Sequence, residues 1–198
     1  MRAGFSPTRL AQVLRRDLTP LGLLRCAAVL VATDLAYQHA GDSFFPGAPL
    51  DETAHFLTAL LLLQMLPTRP RARIAIPALV ASVAIDLDHV PQYLGYHFLT
   101  VGTPRPYTHS LLTPLVLLAL ALAVRRHRLL FLGLTIGVLL HFFRDLAEGN
   151  GSGVSLMWPL SDRPFSYPHA TYLALMACVL AADLCLALVR PRLRAAVP

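Results

Sequence analysis

The sequence predicts an all-α fold, a polytopic membrane helix bundle of about six transmembrane helices with both termini cytoplasmic. Three observations carry this expectation. Hydrophobic residues make up 56% of the 198 residues and charged residues only 14%, whereas a soluble domain needs roughly a quarter charged residues to face water. Mean hydropathy is +0.57. Several apolar runs approach the roughly 20 residues that cross about 30 Å of hydrocarbon, and arginine collects in alternate connectors between them. The length suits one domain.

Six spans follow from the apolar runs: residues 21–40, 52–67, 72–90, 108–124, 128–147 and 168–189. The second and fourth are the shortest of these runs and carry polar residues near one end. Arg2, Arg9, Arg15 and Arg16 precede the first span, and Arg69, Arg71 and Arg73 fill the second connector. Arg125, Arg126 and Arg128 fill the fourth, and Arg190, Arg192 and Arg194 the tail. The first connector has no arginine, the third only Arg105 and the fifth only Arg163. Arginine excess marks the cytoplasmic side. The chain thus divides into a cytoplasmic segment 1–20, a membrane-embedded domain 21–190 and a cytoplasmic tail 191–198. Within the first, residues 6–16 fit an amphipathic helix on the inner leaflet, capped by Ser6 with Pro7 in its first turn. No cleavable signal peptide is expected, because the first apolar run begins behind this arginine-bearing segment and lacks a small-residue cleavage site.

The basic balance, with a pI of 9.8, is entirely arginine, since lysine is absent. These arginines sit in short connectors rather than along one face, which argues against nucleic acid as a partner and for the lipid bilayer. Cys26, Cys178 and Cys185 lie inside apolar runs without CxxC spacing and read as packing residues.

On this topology the polar chemistry gathers at the non-cytoplasmic end. His39, His55, His89, His97, His109, His141 and His169 all fall there, and of the eight histidines only His127 lies on the arginine side. Four groupings stand out. Asp51 and His55 are four apart and share a face if their helix starts early enough, although Asp51 and Glu52 can also be solvated first-turn acids favoured by the helix dipole. Asp86, Asp88 and His89 crowd the end of an apolar helix, where carboxylates oppose the dipole and a bound cation would relieve both penalties. Thr108 is placed to cap the fourth span, with His109 and Ser110 in its first turn. Arg105 just before it can hold an anionic substrate oxygen or anchor to lipid headgroups. His141 and Asp145 are four apart on a helix, a spacing for two ligands of one ion or for a ligand with its carboxylate orienter. Adjacent helical residues point about 100° apart, so only some of Asp86, Asp88 and His89 are expected to face inward. Imidazole with carboxylate favours zinc or manganese over a thiolate-bound metal, and one or two ions fit the donor count. Asp34 and Asp183, deep in the first and last spans, read as interhelical hydrogen-bonding groups.

The ordered set His55, Asp86-x-Asp88-His89, Thr108-His109-Ser110, His141-x3-Asp145 and Trp158-Pro159-Leu160 resembles the bacterial membrane-bound metal-dependent hydrolases called YdjM-like. The likeness runs from about residue 50 to 167. This chain departs at Ile85, where the family usually has Pro, and at Arg105-Pro106-Tyr107, where it has His-Arg-Gly. The resemblance implies a multi-pass inner-membrane hydrolase, and the H-x3-D pair is also similar to those of zinc-dependent phospholipase C and P1 nuclease. The expected metal ligands are His55, Asp86, Asp88, His89, His109, His141 and Asp145. The expected catalytic residues are Asp86 or Asp88 as base, Arg105 for developing charge, and Ser110 beside the site.

The expected activity is hydrolysis of a phosphoester in an amphiphilic or lipid-linked substrate at the outer membrane face, with a divalent metal, zinc or manganese, as cofactor. The competing expectations are a metal-ion transporter, whose site usually lies near the bilayer midplane, and a non-catalytic protein holding a closed structural metal. The outer loop 148–167 reads either as an interfacial anchor or as a lid, hinged at Gly149, Gly151 and Gly153, with Trp158 and Phe165 bounding the substrate. The arginine pattern makes a direct prediction: reporter fusions at residues 45, 98 and 155 read as outside, and fusions at 70 and 127 as inside. A cytoplasmic readout at 98 would reverse both the orientation and the side of the site.

Overall fold

The computed structural model describes residues 18–41, 43–66, 68–147 and 153–195, leaving aside the side chains of 68–72 and 190–195. The amphipathic segment 6–16 and the hinge residues Gly149 and Gly151 lie outside the described residues. Six longer helices carry the fold: α1 (Pro20–Ala40), α2 (Gly47–Gln64), α3 (Thr68–Ala84), α5 (Leu112–Ala123), α6 (Arg128–Asp145) and α7 (His169–Ala195). A 3₁₀ turn, Ile85–His89, joins α3 to the short α4 (Val90–Tyr93). The described residues form no strand, only two isolated bridges, Ala147 with Tyr167 and Val154 with Phe165. Thr19 caps α1 through its hydroxyl, which accepts from the Gly22 amide, and Pro20 fills the first position, where no backbone donor is missed.

Four segments are long and apolar enough to cross a membrane: Pro20–Ala40, Arg73–Tyr93, Arg125–Asp145 and His169–Val189. The fourth expected span is shorter than read. Its helix begins at Leu112, after a turn through 107–111, and ends at Ala123. Twelve residues rise only about 18 Å, so α5 falls short of a full crossing by itself. Helix α2 is the central element, packed against α1, α3, α6 and α7. Its flanks meet protein rather than lipid, so it tolerates Asp51, Glu52, His55 and Gln64. Outside, the usual polarity is reversed: Leu21, Val29, Val31 and Leu35 of α1, Leu115 and Leu122 of α5, and Leu173 and Leu188 of α7 are all exposed. So much exposed apolar surface belongs in hydrocarbon.

Among the described helices the most extensively packed pair is α3 with α6. Gly133 and Gly137 sit on this seam, where a Cβ would collide with Pro77 and the Ile74 carbonyl, or with the Ala78 carbonyl. Such small-xxx-small spacing lets helix backbones touch in lipid, where packing rather than water exclusion drives association. Continuing by four along the same face brings His141 and then Asp145. On α3 the matching row is Ile74, Ala78, Ser82 and then Asp86. The seam therefore aims four polar groups at one point. All three cysteines are free; Cys26 packs against the core as expected, whereas Cys178 and Cys185 are exposed and do not serve as buried packing residues.

Replacing Gly137 with Ala should destabilise the bundle by about 1–3 kcal/mol, since the clash is with backbone that cannot move aside. Thermal unfolding in detergent measures this. An unchanged midpoint would mean that α3 and α6 do not meet so closely.

Candidate metal centre

The ligand set is delivered by three helix ends. Helix α2 starts at Gly47, early enough to put Asp51 and His55 on one face, with Asp51 Oδ1 3.8 Å from His55 Nε2. Helix α3 stops at Ala84 and tightens into the 3₁₀ turn Ile85–His89, and Pro91 follows in the first turn of α4, where its missing donor is not needed. With three residues per turn, Asp86 and His89 eclipse, and His89 Nδ1 lies 3.3 Å from Asp86 Oδ1. Asp88 is drawn in as well, 3.0 Å from His89 Nδ1 and 3.3 Å from His109 Nδ1. All three residues of this trio thus reach the centre, where a regular α-helix would have turned some of them away.

His109 comes from the turn before α5. Thr108 does not cap that helix. Its hydroxyl donates to Asp88 instead, and the His109 amide donates to the Pro106 carbonyl at 2.8 Å. Ser110 is buried, and its hydroxyl donates to the Tyr107 carbonyl at 2.9 Å, which closes the turn rather than facing the cluster.

Four acceptor atoms converge: Asp86 Oδ1, His109 Nε2, His141 Nε2 and Asp145 Oδ2. Their contacts are 3.0 Å (Asp86–His109), 3.1 Å (His109–His141), 3.0 Å (His141–Asp145), 3.4 Å (Asp86–His141) and 3.6 Å (His109–Asp145). The edge of a tetrahedron of zinc ligands is about 3.3 Å, from bond lengths near 2.0–2.2 Å. The tautomers agree with this. His141 Nδ1 donates to the Ser82 carbonyl at 3.0 Å, in the last turn of α3 where carbonyls lose their helical partners. His109 Nδ1 faces Asp88. His141 therefore keeps a proton on Nδ1, and both rings turn Nε2 to the centre, the orientation found in metal-bound histidines with an outer partner. Two lone pairs and two carboxylate oxygens at these distances repel unless a cation lies between them. The residues fit a divalent metal.

Other buried polar atoms around the cluster lack hydrogen-bond partners: both ring nitrogens of His55, Asp88 Oδ1, His89 Nδ1, His109 Nδ1 and Asp145 Oδ1. Groups able to hold an ion form from Asp86, Asp88, His89 and His109, from His55, His141 and Asp145, and from Asp51, His55 and Asp86. Every residue expected as a ligand is thus in the cluster.

A cavity of about 660 Å³ opens on this cluster, lined by Tyr37, Phe44, Asp51, Glu52, Asp86, His89, Tyr93, His97 and Arg105 among others. Arg105 is paired with Asp145 Oδ2 at 3.2 Å. Burial alone would lower its pKa, but Asp145, Asp86 and Asp51 outweigh that and raise it, so the guanidinium stays charged. The departures at Arg105 and Tyr107 have distinct places: Arg105 faces the cavity, and Tyr107 stacks on Trp158 with centroids 4.2 Å apart. Neither Trp158 nor Phe165 lines the cavity. Leu156 accepts from the Leu111 amide at 2.9 Å, so the segment after Gly153 buttresses the His109 turn rather than covering the cavity as the lid reading, one of the two alternatives, would have it. Of the remaining histidines expected at this end, His97 lines the cavity, His39 bonds the Leu35 carbonyl of its own helix, and His169 packs near Tyr172.

The family comparison agrees with this picture. A family model described as YdjM inner membrane protein matches residues 50–197. The chain belongs to the YdjM inner membrane protein family. No curated protein and no solved structure matches it. Membership makes this YdjM-family chain an inner-membrane protein, and its matched region takes in the whole cluster from Asp51 to Asp145.

Sequence reasoning passed over Arg144. It is fully buried, donating to Asp34 Oδ1 at 2.6 Å and to Asp51 Oδ1 at 3.2 Å, with the Tyr172 ring 5.8 Å away. Asp34 is therefore an interhelical group, as expected, with an arginine as its partner. An arginine beside a ligand near the end of an apolar helix was the available signal, because intramembrane charge needs a partner.

His141→Ala and Asp145→Ala should each remove bound metal from protein that still inserts, read by elemental analysis after purification. Asp88→Asn should weaken metal affinity by about 10–100-fold without abolishing it, as loss of an orienting partner does. Unchanged metal content in the first two variants would reduce the pair to a structural role.

Proposed function

We propose that this YdjM-family chain is a metal-dependent hydrolase of phosphoesters in lipids or lipid-linked molecules, working at the non-cytoplasmic face of the inner membrane with six crossings and both termini inside. The observation that carries this reading is the cavity. A structural metal site is closed by its ligands, whereas here Asp86 and His89 belong at once to the cluster and to the wall of a 660 Å³ space. Zinc or manganese bound there would polarise a phosphoryl oxygen.

Around it the chain's own residues take definite parts. Arg105 holds an anionic oxygen of the substrate in the cavity. Of the two acids read as possible bases, both are engaged by histidines, but Asp86 lines the cavity and Asp88 does not. We therefore assign the base to Asp86 and an orienting part to Asp88. The mouth favours an amphiphile: Phe44 and Tyr93 meet edge-on at 5.4 Å, and Phe45, Leu87, Leu94, Tyr96 and Phe98 near them in the chain are exposed. Ligands for transport would be expected midway along the helices, but these cluster where α2 begins and where α3 and α6 end.

The test is a hydrolysis screen of purified, zinc- or manganese-loaded protein against phospholipids and lipid phosphates, reading phosphate or headgroup release. Arg105→Ala should lower kcat by roughly 10²–10³, the usual loss when one charge-stabilising donor is removed, with metal content unchanged. Loaded protein that hydrolyses no phosphoester amphiphile, yet passes the ion across liposomes, would replace this reading with transport.

A further inference from the structure

His55 is the buried imidazole that the four-donor set leaves over. It is 1% exposed, and neither ring nitrogen has a hydrogen-bond partner. Its ring stacks on His141, with centroids 3.9 Å apart and planes 15° from parallel. An imidazole holds its available lone pair in the ring plane, so two nearly parallel rings direct their lone pairs along separate lines. One ion about 2.0–2.1 Å from nitrogen cannot lie on both. Asp145 repeats the doubling: Oδ2 is 3.0 Å from His141 Nε2, and Oδ1 is 3.3 Å from His55 Nε2. A carboxylate that offers one oxygen to each of two stacked rings has the form of a bridging ligand. Beyond His55, donor atoms of Asp51, His55 and Asp86 fall within 4.8 Å of one another.

We propose that the centre holds two divalent ions bridged by Asp145. The first ion takes Asp86, His109, His141 and Asp145 Oδ2. The second takes His55, Asp51 and Asp145 Oδ1, with its remaining positions open to the cavity that Asp51 and Asp86 line. Two-metal hydrolases hold their ions about 3.5–4 Å apart and clamp the attacking and leaving oxygens of an in-line displacement. This narrows the substrate to one whose phosphoryl group spans both ions. It rests on the single-ion reading above, since the second ion shares Asp145 with the first.

The test uses the full chain in detergent, stripped with a chelator and reloaded with manganese. Elemental analysis should find two equivalents per chain, and the electron paramagnetic resonance spectrum should show exchange coupling between neighbouring ions. His55→Gln should bind one equivalent and give the spectrum of an isolated ion. One equivalent in the unaltered chain, two without coupling, or two retained by His55→Gln would each overturn the second site. Absence of any bound manganese would overturn the first site as well, and with it the proposed function. The coupling measurement needs only the unaltered chain, so it decides the matter even if the variant fails to insert.

Discussion

The seam between α3 and α6 is the contact on which the rest of the structure depends. Two glycines four residues apart remove the side chains that would otherwise hold the backbones apart. One turn further along each helix, the space so gained is filled by His141 against the Ser82 carbonyl. One turn beyond that, Asp145 and Asp86 both reach the same nitrogen of that imidazole, Nε2. Packing and ligand placement are therefore one arrangement. The histidine sits where it does because the glycines below it let it reach a carbonyl at the fraying end of a helix.

Concentrating charge at the end of an apolar bundle has a large desolvation cost. The chain offsets part of it with arginine. Arg144 ties Asp34 on α1 and Asp51 on α2 to α6, and Arg105 comes in from the turn before α5 to pair with Asp145. These contacts draw four elements together around the cluster without touching the lone pairs on His109 and His141. Their Nε2 nitrogens remain aimed at each other and at two carboxylate oxygens, a donor set that could hold a metal ion. The Thr58 and Tyr172 hydroxyls, 2.7 Å apart, link α2 to α7 beside the same network.

Around this frame the two connecting segments at this end of the bundle divide the work. The region after α3, with Leu87, Tyr93 and His97, forms the wall and mouth of the cavity together with Phe44 from the α1–α2 connector. The segment from Gly153 to Tyr167 lies behind the His109 turn. It is held there by the Leu156 carbonyl, by the Trp158–Tyr107 stack and by the pairing of Val154 with Phe165. Gly153 adopts φ of +85°, and a Cβ there would press on the Phe165 carbonyl, so glycine is required for that pairing.

Much of this protein is legible in the sequence because its determinants are local or additive. Hydropathy needs only a window of residues to reveal helices, and four-residue spacing is enough to put Asp51 with His55 and His141 with Asp145 on common faces. Arginine bias and polar placement then gather the histidines at one end. What the tertiary structure decided depends on how elements meet. The 3₁₀ turn before Pro91 brings Asp86, Asp88 and His89 inward together, where a helical wheel separates them. Thr108 serves Asp88 rather than a helix cap, because α5 starts only at Leu112. Trp158 lies against Tyr107 and away from the cavity, and Arg144 finds partners 110 and 93 residues away in Asp34 and Asp51. Such pairings arise from the crossing of helices that sequence distance does not encode, so only the assembled bundle could reveal them.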